Sequence, residues 1–394
     1  MVIQFFKRNL IKRSVFLLGM IIALSCDDRN PQEVQKAYIT LQGQDRIAVL
    51  DINAGEVIHY VDVDFTNIGD MPHYIVIDET HNYWYCTLIA NGAVLKFDLQ
   101  TDAMVDSVFV GNMPALMALD EEREYLYVSR FMPMMGMSTA SQLVHKIDTQ
   151  NMTIIGTVNV GADSPHGIAL SSDGNTLWVA SNQASHFFKI DTDRFGDSSY
   201  QPQNFPIGSD VPSSFEINDG FYNALELELN NDDTKLYVSC SNSMEVRVFD
   251  TVTGDSLNTF STGMMPWHFQ LSKDDTQLFV TNRMANNITV IDIATEDVST
   301  LSHSSMDMLH GCALSGNDDL LVVTSSGSGN AYVYDTEKET LLYTIKLGND
   351  KTADPIPTGA AIVQYNLYGS FHQFLYPYHI HEHDFSKLLD SNNN

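Results

Sequence analysis

Residues 278–292 read LFVTNRMANNITVID. Two β-rich runs, LFVTN and ITVID, flank a short polar link, and the second run closes on Asp292. The unit recurs along the chain. IAVLD ends at Asp51, VLKFD at Asp98, VHKID at Asp148, FFKID at Asp191, VRVFD at Asp250 and AYVYD at Asp335. Before them come the matching runs YITL, WYCTL, LYVSR, LWVAS, LYVSC and LVVTS. Successive aspartates lie 47, 50, 43, 59, 42 and 43 residues apart. Short strands repeated at this period mark a β-propeller, with one four-stranded blade per repeat. A single blade cannot bury its own faces, so the repeats must close on one another around a central channel.

Two further strands complete each repeat. An inner strand a, often opened by proline, precedes the paired runs: PHYIVI from Pro72, PALMAL from Pro114, PHGIAL from Pro165, PWHFQL from Pro266 and LHGCAL from Leu309. Polar turns such as SSDG (171–174) and SKDD (272–275) lead from a into b. A fourth strand follows each aspartate, which is placed to brace the c–d turn through its backbone amides. The first b–c–d set, at 37–64, has no strand a before it, and the last strand a, at 358–364, has no set after it. Pairing the two ends gives an all-β, seven-bladed propeller over 37–364, closed by N- and C-terminal strands in one blade.

Residues 1–26 carry a targeting signal. Lys7, Arg8, Lys12 and Arg13 form a basic start, and an apolar run over 14–24 leads into Ala23-Leu24-Ser25-Cys26. The run is short for a membrane span. Its end resembles a bacterial lipobox, which implies cleavage and a lipid on Cys26, an envelope location at the periplasmic or outer-membrane surface, and a tether over 27–36. The formal net charge is −29 for the chain, and 17 basic against 50 acidic residues leave −33 beyond residue 26. Such acidity argues against a phosphate-backbone or anionic-membrane partner and leaves the lipid anchor as the expected membrane attachment. Cys86, Cys240 and Cys312 have no CxxC spacing and imply no disulfide framework.

The unusual residues collect at one end of the ring. His73, His166 and His310 share the second position of strand a, at the channel mouth; Trp267 holds it in the fifth blade, with His268 beside it. Ala115, Leu225 and Thr358 hold it elsewhere. Met71, Met113, Met264, Met265, Met306 and Met308 precede inner strands, and Met132, Met134, Met135 and Met137 fill the second blade's b–c loop. Ten of the 17 methionines thus belong to loops of one face. Thioether and imidazole together suit copper. A Met-rich face also suits a protein partner. In the tail, 365–394, His379, His381 and His383 alternate, so on an extended strand they face one way as a second candidate metal row.

LFVTNRMANNITVID (278–292), LWVASNQASHFFKID (177–191) and LYVSCSNSMEVRVFD (236–250) resemble YVTN-repeat propellers. The resemblance spans about 36–364 and implies the propeller fold. Such repeats occur in surface-layer proteins, and related propellers in nitrous-oxide reductase, haem-d nitrite reductase and methylamine dehydrogenase heavy chains. No GxSxG, phosphate-binding glycine loop or CxxCH occurs. The expected function is a non-enzymatic envelope lipoprotein that binds a metal, copper favoured, or a protein partner on its Met/His-rich face. An oxidoreductase or lyase at the channel mouth, and a structural or adhesive propeller without a small ligand, are the alternatives.

Overall fold

The computed structural model describes residues 33–63, 65–66, 69–131, 141–212 and 221–366. Cys26, Met132, Met134, Met135, Met137, His379, His381 and His383 lie outside the described residues. One compact unit spans Gln35–Gln364; a second comprises Met1–Val34 and Tyr365–Asn394, nearly all of it outside the described residues. Among the described residues no helix is long and apolar enough to cross a membrane.

Seven four-stranded antiparallel sheets form the ring. Blade 7 begins with β1 (Glu33–Leu41), β2 (Arg46–Asp51) and β3 (Glu56–Asp62). Blade 1 holds β4 (Pro72–Asp78), β5 (Tyr83–Leu88), β6 (Ala93–Asp98) and β7 (Met104–Phe109). Blade 2 holds β8 (Pro114–Asp120), β9 (Tyr125–Arg130), β10 (Leu143–Asp148) and β11 (Thr153–Asn159). Blade 3 holds β12 (Pro165–Leu170), β13 (Thr176–Ser181), β14 (His186–Asp191) and β15 (Gln203–Pro206). Blade 4 holds β16 (Ala224–Leu229), β17 (Lys235–Cys240), β18 (Glu245–Asp250) and β19 (Ser256–Ser261). Blade 5 holds β20 (Pro266–Leu271), β21 (Gln277–Asn282), β22 (Asn287–Asp292) and β23 (Val298–Leu301). Blade 6 holds β24 (Leu309–Leu314), β25 (Leu320–Ser325), β26 (Asn330–Asp335) and β27 (Thr340–Lys346). The last strand, β28 (Pro357–Asn366), pairs with β1 and completes blade 7, so the two chain ends share one sheet as the repeat count requires.

The repeating aspartates brace the c–d turns. Asp98 accepts the amides of Gln100 and Thr101, Asp250 those of Val252 and Thr253, and Asp292 those of Ala294 and Thr295. Asp51, Asp148, Asp191 and Asp335 also accept turn amides. The apolar core lies between blades. Phe187, Trp178 and Phe205 of blade 3 pack with Leu236, Val238 and Phe249 of blade 4. Ala37 and Ile39 of blade 7 pack with Val322 and Val333 of blade 6.

Six inner strands break register at the same place. In β4, Pro72 pairs with Leu88 and Ile75 with Cys86, so His73 and Tyr74 together oppose Thr87. The same bulge isolates Ala115-Leu116, His166-Gly167, Leu225-Glu226, Trp267-His268 and His310-Gly311. A bulge turns the strand locally and re-aims side chains. Here it puts a two-residue step into the channel wall of each of these blades.

Candidate functional site

A ring of hydroxyls on the b strands fixes these steps. Thr281 Oγ1 accepts the His268 N–H of its own blade and donates to the His310 carbonyl of the next. Thr87 likewise accepts from Tyr74 N–H and donates to the Ala115 carbonyl. Thr40, Ser129, Ser239 and Thr324 reach the carbonyls of His73, His166, Trp267 and Thr358. This explains the Ser or Thr near the end of the b-strand runs. Thr281→Val should lower stability by about 2 kcal/mol, because it strands buried backbone groups. Urea denaturation reads this, and a loss below about 0.5 kcal/mol would show that the hydroxyl ring is dispensable.

Four imidazoles meet inside that ring. Ring centroids are 6.3 Å apart for His73 and His166, 5.9 Å for His166 and His268, 5.0 Å for His268 and His310, and 5.3 Å for His310 and His73. All four residues are at most 6% exposed. The cycle closes across blades 1, 3, 5 and 6, so the histidines at the shared strand-a position come together, and His268 joins them through the bulge.

Their environments differ. His166 Nδ1 lies 3.0 Å from the Leu225 carbonyl, and His268 Nδ1 lies 2.9 Å from Glu226 Oε2. Neither ring nitrogen of His73 has a hydrogen-bond partner, and neither does Nδ1 of His310. Burial first, and then the neighbouring His268, lowers His73 to about 3 and holds His166 and His310 well below the ordinary imidazole value. These rings are therefore neutral near pH 7, with lone pairs available. A buried nitrogen without a partner costs about 1–3 kcal/mol, so two such rings side by side suit a ligand that accepts lone pairs. Among the described residues, no group of three or more His, Cys, Asp or Glu side chains stands close enough as placed to hold a metal ion.

Arg283 stacks on Trp267, 4.9 Å from the ring centroid, and Trp267 lies 5.8 Å from His310. On the other side of the histidines a cavity of about 440 Å³ runs along the channel. Tyr74, Glu226, Glu228, His268 and Cys312 contribute to its wall. Burial lifts the Glu228 carboxyl to about 8 and the Cys312 thiol well above its usual value, so neither is anionic at neutral pH. Among the described residues Cys86, Cys240 and Cys312 are free; the first two are buried and Cys312 is half-buried on the channel.

Methionines crowd the loops at the same end. Met71, Met113, Met265 and Met308 each precede an inner strand with a positive φ, between 51° and 63°. Ser164, Asn223 and Ile356 hold that position in the other blades, also with positive φ. The turn frees each carbonyl to accept an amide just past the b strand, as Arg283 N–H does to Met265 and Ser326 N–H to Met308. Met71, Met264 and Met308 are exposed, and so are Met244 and Met284 in b–c loops. Sequence reading passed over those last two. The topology that puts b–c loops beside d–a loops could have found them.

No family model matches the chain, and no curated protein does. Solved structures do. The chain is similar to a protein of unknown function from Desulfotomaculum acetoxidans, at 15% identity and a TM-score of 0.63 over 83% of this chain and 98% of that one. It is similar to hydrazine synthase from Kuenenia stuttgartiensis, at 20% identity and 0.57 over 69% and 78%. It is also similar to the dihydro-heme d1 dehydrogenase NirN, at 11% identity and 0.55 over 84% and 75%. At these identities the likeness establishes the fold: the chain is a seven-bladed β-propeller.

Proposed function

We propose that this propeller is a non-enzymatic cell-envelope lipoprotein, anchored through Cys26, that binds copper in its histidine cycle. The supporting observation is the set of four buried imidazoles from four blades, two of them with unpartnered nitrogens. Four imidazoles on one tetrahedral ion, with bonds of about 2 Å, place their centroids about 5 Å apart. The four separations between neighbours in the cycle, 5.0–6.3 Å, exceed that by up to 1.3 Å, so the rings would have to draw in around the ion. Neutral imidazole suits either copper state, and the exposed thioethers of Met71, Met264, Met284 and Met308 suit Cu(I) arriving at the mouth.

Purified protein lacking residues 1–26 should take up copper, and His73→Ala/His166→Ala/His310→Ala should lose that site. Elemental analysis after dialysis checks this. Equal uptake by the two proteins would end the proposal and leave a Met-rich partner surface or a structural propeller. Cys26→Ala should release the full chain from membranes. A second reading, an oxidoreductase, has one observation in its favour: the cavity of about 440 Å³ that adjoins His268. Turnover of a small reductant by the copper-loaded protein would favour it.

A further inference from the structure

We propose that the channel cavity beside the histidines binds a small organic amine as its ammonium ion. Glu226 and Glu228 hold the charged head, and the apolar wall covers the body. Copper plays no part in it.

The inner strand of blade 4 sets the head group. Glu226 and Glu228 stand two residues apart on β16, so their side chains leave the same face. Both reach β20 of blade 5 and cap amides along its edge. Glu226 Oε2 accepts Phe269 N–H at 2.9 Å, and Glu228 Oε2 accepts Leu271 N–H at 3.1 Å. Gln270 Nε2 donates to Glu228 Oε1 at 2.8 Å. One carboxyl oxygen is left over. Glu226 is only 9% exposed and forms part of the cavity wall. Its Oε2 takes both of its contacts, with Phe269 and His268, and its Oε1 meets no donor among the described residues. The Tyr74 hydroxyl, on the same wall, has no hydrogen-bond partner among the described residues either. Bracing blade 5 takes one oxygen of Glu226. It does not account for a second oxygen left unsatisfied at a cavity.

The rest of the wall narrows the occupant. Among the described residues no Lys or Arg lines the cavity, and its carboxyl groups are Glu226, Glu228 and Asp233. Asp233 is already engaged by the Ser172 amide and hydroxyl. Ile168, Leu170, Leu227, Leu229 and Phe269 supply apolar surface. The volume of about 440 Å³ falls within the range of about 300–1,000 Å³ common for small-molecule sites. Acceptors without a cation, beside apolar surface, fit a cation that carries a hydrocarbon body. A bare metal ion lacks its donor set here, since no group of three or more His, Cys, Asp or Glu side chains among the described residues stands close enough. An ammonium needs only acceptors for its three N–H bonds. Glu226 Oε1, Glu228 and the Tyr74 hydroxyl are on offer.

Glu228 would respond to such a guest. Burial, with Glu226 adding to it, holds its carboxyl at about 8. Tyr74, Tyr237, Cys312 and Asp275 also act on it, and none of them brings positive charge. When the ammonium enters, the Glu228 O–H bond breaks, the carboxylate pairs with the guest, and the proton leaves to buffer.

Isothermal titration of the full chain in EDTA at pH 7 tests this with hexylamine, 1-hexanol and hexanoate as probes. One hexylamine should bind per chain, at least about 10-fold tighter than hexanol or hexanoate, as a charge-assisted hydrogen bond requires. Heats in two buffers of different ionisation enthalpy should show about one proton released. Glu226→Gln should weaken hexylamine about 10–100-fold with an unchanged urea midpoint, because the amide oxygen still accepts Phe269 N–H. Glu228→Gln should abolish the proton release. Equal affinity for hexanol and hexylamine would overturn the site as a merely apolar channel. Several amines per chain, indifferent to Glu226→Gln, would overturn it as counterion binding to an acidic protein. Absence of hexylamine binding would overturn it outright. Should Glu226→Gln unfold, the probe comparison and proton count on the unaltered chain still decide.

Discussion

A chain ended after Asp354 should fail to close its ring. The strand removed, β28, is the innermost strand of blade 7, and it comes from the opposite end of the sequence to its neighbour β1. Its loss bares the inner edge of β1. It takes away the Gly359 N–H that Thr40 accepts and the Thr358 carbonyl that Thr324 serves. It also removes the Ile356 carbonyl that receives Gln42 N–H. Ala360 and Ile362 no longer cover the cluster built on Ala37, Ile39 and Val322. A sheet edge, several buried polar groups and part of an apolar core are exposed together, a loss above about 5 kcal/mol and so near the whole stability of a domain. Urea unfolding followed by circular dichroism tests this. A chain ended after Asp354 with the full chain's midpoint would mean that blade 7 stands on three strands.

The ring and its closure were legible because both rest on counting. A repeated aspartate must sit at a repeated turn, and an unpaired strand at each end leaves one way to finish the seventh sheet. The histidines were half legible. Their shared position placed His73, His166 and His310 together, but position alone could not show that a bulge admits Trp267 and His268 to the same level of the channel. The orienting groups were not legible as partners. Glu226 looks like an ordinary strand residue until β20 brings His268 beside it. Local spacing specifies which blade a side chain belongs to. Contacts between blades depend on the twist and radius of the closed ring, which no single repeat encodes.

Metal-free protein should be most stable near pH 7 and lose stability steeply on the acid side and slightly on the alkaline side. Burial depresses four imidazoles: His73 to about 3, His145 to about 4, and His166 and His310 well below their usual 6.5. Each is neutral in the fold and protonated in the unfolded chain below that value. The unfolded state therefore binds the extra protons, and stability falls as pH drops, by about 1.4 kcal/mol per unit for each ring. Glu228 acts in the opposite sense. Burial raises its carboxyl from 4.5 to about 8, so the fold keeps a proton that the unfolded chain releases, and stability falls as pH rises from 4.5 to 8. Between pH 4.5 and 6.5 the four rings outweigh the one carboxyl by a net three protons, or about 4 kcal/mol per unit. By pH 5 the loss is about 6 kcal/mol, enough to unfold many domains. Above pH 7 Glu228 dominates, but the last of the imidazole titration offsets part of it, so only about 0.5 kcal/mol is lost by pH 8. Asp250 and Asp292, held low chiefly by the amides of Thr253 and Thr295, lose their contribution only at lower pH. A steep fall that begins at pH 6.5 thus belongs to the imidazoles. Urea midpoints measured with a chelator from pH 4.5 to 8 should trace this asymmetric peak, and His310→Gln should reduce the acid slope by one proton. A flat profile between pH 5 and 7 would mean that the histidine cycle is wet enough to titrate normally, and the neutral, lone-pair-bearing site would go with it.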